Sequence, residues 1–177
     1  MPCASRAIRR ARSEKMIRQL MICAAMALSL TACHKNLPDQ SSKAQGFMAA
    51  NARQPGVTTL PSGLQYKVVK SGPADGLRPQ LGDEVKVNYE GKLIDGTVFD
   101  SSYERGVPAA MPLKGLIKGW QEALQLMRPG DEWILYVPAN LGYGDQGAGG
   151  QIPPGAALIF RIELIGVLPA EGRIQQG

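Results

Sequence analysis

Histidine is almost absent from this 177-residue chain. His34 is the only one, and it sits among polar residues ahead of any strand-like segment, so a histidine general base or histidine-held metal in the folded part is excluded. Cysteine is nearly as scarce: Cys3, Cys23 and Cys33 all lie within the first 33 residues. Everything beyond them lacks a disulfide framework and must hold by packing. There is no Ser-His pair, no zinc-ligand spacing and no Gly-x-x-x-x-Gly-Lys-Ser/Thr phosphate cradle. The run "GYGDQGAGG" at 142–150 is not followed by a helix start of the dinucleotide-binding type.

A basic surplus is also missing where it would count. The net charge is +5, but Arg6, Arg9, Arg10, Arg12, Lys15 and Arg18 against Glu14 supply all of it before residue 33, and the remaining fourteen basic and fourteen acidic residues cancel. Nucleic-acid binding by the rest of the chain is excluded on that balance. Long apolar runs are lacking too. Leu20 to Leu30, "LMICAAMALSL", is too short for an ordinary membrane span.

Basic residues, then that apolar run, then small residues are the order of a secretory leader, so residues 1–32 are expected to be a signal peptide. Met16 gives a leader of more usual proportions than Met1, and the start is left open between them. Leu30-Thr31-Ala32-Cys33 resembles the bacterial lipobox. That resemblance implies cleavage before Cys33, lipidation of Cys33, and a protein anchored to the membrane rather than spanning it. His34 rather than Asp after the cysteine points to the outer membrane, with the domain facing the periplasm. Residues 33–56 are polar, interrupted by Pro38 and Pro55, and read as the lipidated end and a flexible tether with at most a brief helix over 47–53.

The globular domain is expected over 57–168, with 169–177 as a short tail. "LQYKVVK", "EVKVNYEG", "EWILYVP" and "ALIFRIELIGVL" alternate apolar and polar residues as half-buried strands do. Asp95-Gly96 has hairpin chemistry, which returns "TVFD" antiparallel beside the Tyr89 strand. Trp120, Ala123, Leu124 and Met127 recur at helical spacing before Pro129-Gly130. The expected class is α+β: a curved antiparallel sheet, a half-barrel, wrapped around one short α-helix.

Tyr89, Phe99, Trp120, Tyr143, Ile152 and Phe160 could line an apolar pocket, although taken singly each reads equally as core. Asp95 is needed for its turn, which leaves no carboxylate pair for glycoside hydrolysis. Asp100, in "DSS", reads in isolation as a cap.

The blocks "VNYEGKLIDGTVFDSSYERG", "LIKGWQEALQLMRPGDEWILYVPANLGYG" and "IPPGAALIFRIELIGV" follow one another at compatible spacing. Together they resemble the FKBP-type peptidyl-prolyl cis-trans isomerases, most closely the bacterial exported, Mip-like group, over essentially all of 57–168. The resemblance implies a pocket with Trp120 as floor and Tyr89, Phe99, Met111, Leu116, Ile117, Ile152 and Phe160 as substrate-binding walls. Ile117 would offer its N–H to a substrate carbonyl. Asp100 and Tyr143 would be the catalytic polar groups, Asp100 either orienting Tyr143 or acting on the twisting amide. It implies no cofactor and no metal. The partners would be proline-containing unfolded or partly folded polypeptides, with macrolide-type ligands as further binders. The long helical dimerisation arm of many Mip-like proteins has no counterpart between Cys33 and the domain, so a monomer is expected. The competing function is an exported holdase that grips proline-containing segments with little turnover. This sequence departs from the best-known members at Ala109, Ala110 and Met111, where an aromatic residue is usual after the proline, and at Ala148 and Gln151.

Overall fold

The computed structural model describes residues 37–171. The signal peptide expected over 1–32 and Cys33 lie outside these residues, as does most of the tail. The described chain runs α1 (Ser41–Asn51), β1 (Val57–Thr59), β2 (Gln65–Lys70), β3 (Glu84–Leu93), β4 (Val98–Ser101), α2 (Ser102–Arg105), β5 (Ala109–Pro112), α3 (Lys118–Leu124), β6 (Glu132–Val137) and β7 (Leu158–Leu168).

The strands form one antiparallel sheet in the order β1-β2-β6-β7-β3-β4, with β5 also pairing β3. It is not closed into a barrel. Alternation decides its faces: Val85, Val87 and Tyr89 of β3, Trp133, Leu135 and Val137 of β6, and Leu158, Phe160, Ile162 and Leu164 of β7 all turn inward and are buried. Helix α3 packs on this inner face through Trp120, Ala123 and Leu124. Met127 is fully buried as its spacing suggests, but in the turn after the helix, where its N–H is shared between the Ala123 and Leu124 carbonyls. The expected α+β sheet on a short helix is therefore the observed architecture, with two further α-helices and three single 3-10 turns among the described residues.

One edge of β3 is split. Strand β5 pairs with Glu84 to Val87 and β4 with Glu90 to Lys92. Between them the chain leaves the sheet as α2, whose first turn is capped by Ser101 Oγ accepting from the Glu104 N–H at 3.3 Å. The split leaves the Tyr89 backbone without a strand partner on that side, and the Ser102 hydroxyl fills the place: it accepts from the Tyr89 N–H at 2.8 Å and lies 3.3 Å from the Tyr89 carbonyl. A cap is thus present in "DSS", but it is Ser101, which leaves Asp100 available for other contacts.

The flexible tether read over 33–56 is corrected for its described part. Residues Ser41–Asn51 are helical, a longer and earlier helix than 47–53, and they dock on the outer face of the sheet. Ala44 is buried, Phe47 meets Tyr136 with ring centroids 6.0 Å apart, and Asn51 Nδ2 donates to Gln65 Oε1 at 2.8 Å. Gln65 Nε2 in turn donates to the Met48 carbonyl at 2.9 Å. An isolated helix of eleven residues is marginal; these contacts with β2 and β6 supply what its own sequence does not. Among the described residues no helix is long and apolar enough to cross a membrane.

Candidate active site

A cavity of about 250 Å³ opens at one end of the sheet, lined by Tyr89, Phe99, Asp100, Met111, Gly115, Leu116, Ile117, Trp120, Tyr143 and Phe160. Its floor is aromatic. The Trp120 indole packs edge-to-face with Tyr89 and Phe160, ring centroids 5.1 and 5.2 Å apart and planes near perpendicular, and Phe160 packs with Phe99 in the same manner at 5.6 Å. Trp120 is 4% exposed, so its remaining free surface is what the cavity reaches.

Neighbours in a strand normally face opposite sides, yet Phe99 and Asp100 both line this cavity. The register explains it: Gly91 pairs with Asp100 and Lys92 with Val98, so Phe99 is the extra residue of a β-bulge. Gly91 makes room for the consequence. A Cβ there would fall 2.7 Å from the Phe160 ring and 2.8 Å from the Phe99 ring, so the edge-to-face pair closes over a position that only glycine can occupy.

Among the described residues Asp100 is the one carboxylate that lines the cavity, and its charge is answered locally. Tyr89 Oη donates to Asp100 Oδ2 at 2.5 Å, Arg105 pairs with Asp100 Oδ1, and the same guanidinium donates to Tyr89 Oη at 2.8 Å. Burial pushes the Asp100 carboxyl up, but the hydrogen bond from Tyr89, followed by Arg105, outweighs it and holds the group below the ordinary carboxylate range. Burial, followed by the Asp100 hydrogen bond, raises the Tyr89 phenol; burial and then the charge of Asp100 raise Tyr143. At neutral pH the site therefore carries an ionised Asp100, a cationic Arg105 and two neutral phenols.

Two donors at the rim are without a partner among the described residues. Ile117 caps α3 through its carbonyl, which accepts from the Trp120 and Gln121 N–H groups, whereas its own N–H donates to no other described residue. The Tyr143 hydroxyl likewise bonds to no other described residue. Gln121 steadies the lip by donating to the Leu116 carbonyl at 2.7 Å and the Lys114 carbonyl at 3.1 Å. The arrangement is an apolar trough with one N–H and one O–H donor and one ionised carboxylate whose charge is compensated by Tyr89 and Arg105.

Nine of the ten residues expected at the pocket meet there: Tyr89, Phe99, Asp100, Met111, Leu116, Ile117, Trp120, Tyr143 and Phe160. Ile152 does not. It is buried in the core cluster, and its backbone forms an isolated bridge with Ala148. Asp100 contacts Tyr89 and Arg105 rather than Tyr143. Sequence reasoning missed Arg105, Gly115 and Gln121. The available signal for Arg105 was an opposite charge five residues after Asp100 across a capped turn. Among the described residues no cluster of three or more His, Cys, Asp or Glu side chains is placed to hold a metal ion.

This fold is shared with solved structures. A peptidyl-prolyl cis-trans isomerase of Pseudomonas syringae pv. tomato superposes with a TM-score of 0.68 at 37% identity, over 73% of this chain and 93% of that one. FkpA of Escherichia coli gives 0.70 at 36% identity, over 96% of this chain and 75% of that one. The sequence profile of the FKBP-type peptidyl-prolyl cis-trans isomerase matches residues 76–165, and that of the domain amino-terminal to it matches residues 7–68. The chain belongs to the FKBP-type peptidyl-prolyl cis-trans isomerase family. It is 59% identical over 127 residues to the peptidyl-prolyl cis-trans isomerase Mip of Coxiella burnetii, and 47% identical over 137 residues to the outer membrane protein MIP of Legionella longbeachae. Those matches cover 72% and 77% of this chain but 54% and 58% of the relatives, so the chain spans little more than half of their length.

Proposed function

We propose that this chain is a peptidyl-prolyl cis-trans isomerase that accelerates folding of exported proteins. The observation that carries the reading is the apolar cavity over Trp120, with the unused Ile117 N–H and Tyr143 hydroxyl at its rim. Rotation about an X-Pro bond faces a barrier of about 18–20 kcal/mol because resonance holds the amide planar. The planar form is the more polar one. A cavity walled by Phe99, Phe160 and Trp120 solvates it worse than water does, while the twisted amide, having lost its resonance dipole, is penalised less. Lowering the barrier by about 5–7 kcal/mol corresponds to roughly 10⁴- to 10⁵-fold in rate.

Each residue then has a task. Trp120 carries the proline ring, with Tyr89, Phe99, Met111, Leu116 and Phe160 around it. The Ile117 N–H and Tyr143 hydroxyl take the flanking substrate carbonyls and so hold the peptide while the bond turns. Ionised Asp100, kept in place by Tyr89 and Arg105, sets the field beside the turning amide. No proton is transferred and no covalent bond forms. The same trough suits macrolide-type ligands that mimic a prolyl segment.

The location we propose is the bacterial envelope, since a relative of similar sequence carries the name outer membrane protein MIP. Within it, the leader-like order of residues 1–32 and the lipobox-like Cys33 support a lipid anchor facing the periplasm from the outer membrane, and the short stretch between Cys33 and the domain supports a monomer. The full chain, added substoichiometrically to a proline-limited refolding reaction, is expected to accelerate it with turnover. Stoichiometric suppression of aggregation without acceleration would instead identify a holdase.

A further inference from the structure

Helix α1 is fastened at both ends. Its C-terminal end is tied to β2 through Asn51, Met48 and Gln65. Its N-terminal end grips the loop that follows Tyr143. There the Asp39 carboxylate accepts from the Ser41 N–H at 2.9 Å and from the Ser41 hydroxyl at 2.6 Å, forming a tight corner. The Gln40 N–H of that corner donates to the Pro154 carbonyl at 2.9 Å. The next residue, Gly155, is buried directly beneath it. A Cβ on Gly155 would lie 2.1 Å from Ser41 Oγ and 2.5 Å from Asp39 Oδ1, and its φ of +69° already favours glycine. The Gly155 N–H then donates to the Gly144 carbonyl at 2.9 Å, and Gly144 adjoins Tyr143. A continuous path of backbone contacts thus runs from the start of α1 to the residue whose hydroxyl stands at the cavity rim.

From this path we infer that Asp39, Gln40 and Ser41 are positioning residues for Tyr143: the segment ahead of the domain straps down the 144–155 loop and thereby sets how tightly a proline-containing peptide is held. The inference rests on the isomerase reading for its effect on substrate, but not for its effect on the loop. The strap touches neither the cavity nor Trp120. Loosening it should therefore weaken the grip on the peptide and leave the barrier-lowering aromatic trough as it was.

The test uses the full chain with Asp39→Ala, which opens the corner, and Gln40→Pro, which removes the N–H donated to Pro154. Amide exchange at Gly155 is expected to rise at least tenfold in both variants, while amides in β3 and β7 keep their protection. KM for a proline peptide is expected to rise roughly three- to tenfold with kcat within a factor of two, and the rise should vanish when the same changes are made on Tyr143→Phe, because the strap acts through that hydroxyl. Unchanged exchange at Gly155 overturns the strap, and an equal KM rise in the Tyr143→Phe background overturns the route through Tyr143. A wild-type chain without isomerase activity would defeat the functional reading alone, since exchange at Gly155 still decides the strap.

Discussion

Tyr89 Oη and Asp100 Oδ2 are 2.5 Å apart, and one guanidinium, that of Arg105, reaches both partners. This triangle places a compensated negative charge at the lip of an otherwise apolar cavity. Asp100→Ala is expected to lower kcat/KM roughly fivefold, the effect of about 1 kcal/mol of charge-assisted hydrogen bonding at a half-exposed position. Arg105→Ala should fall in the same range. Steady-state kinetics with unchanged far-ultraviolet circular dichroism would check both.

The protonation states give a flat pH profile. Asp100 lies below, and Tyr89 and Tyr143 above, their ordinary values, so kcat/KM should show no inflection between about pH 5 and 9. For stability the sign follows from the lowered carboxyl. The contribution of Asp100 is present in full above its unfolded value of about 3.9 and is lost as pH falls through its lower folded value. The difference in denaturation midpoint between wild type and Asp100→Asn should thus shrink on acidification below about pH 4.

Removing the Tyr143 hydroxyl should cost one neutral hydrogen bond to substrate. Tyr143→Phe is expected to lower kcat/KM about two- to tenfold, corresponding to roughly 0.5–1.5 kcal/mol, with the thermal midpoint nearly unchanged because that hydroxyl has no described protein partner.

The bulge at Phe99 depends on Gly91. Gly91→Ala drives a methyl into both rings of the Phe99–Phe160 pair and should destabilise the fold by about 1–3 kcal/mol while collapsing the cavity wall. Chemical denaturation and peptide titration would register the two effects separately.

Trp120 and Trp133 are the only tryptophans, and only Trp120 lines the cavity. Binding of a proline peptide should change the fluorescence of Trp133→Phe nearly as much as that of wild type. Trp120→Ala should lose the response and about 3–5 kcal/mol of stability.

The sheet was legible because β3, β6 and β7 bury one face and alternate accordingly, and the Asp95-Gly96 turn fixed the return of β4: Asp95 Oδ1 accepts from the Thr97 N–H at 2.9 Å. Strand β5 was not legible, because "AAMP" has neither alternation nor strand-favouring side chains and is recruited only by the free edge of β3. Helix α1 was misread as tether because its stability comes from Gln65 and Tyr136, far along the chain. The cavity residues were gathered mainly by resemblance to a family. Ile152 reads from sequence as a wall but is a core residue outside the cavity lining, and the contact of Arg105 with Asp100 follows a bulge that no pattern in "TVFDSS" announces.

The most direct measurement is nuclear magnetic resonance exchange on a proline peptide with a substoichiometric amount of the full chain, at pH 6 to 8, in H₂O and in D₂O. The expected result is catalytic acceleration of cis–trans exchange, equal in the two solvents and constant across that range, as befits a twisted amide stabilised without proton transfer. Peptide binding without faster exchange would contradict it, as would acceleration that slows severalfold in D₂O.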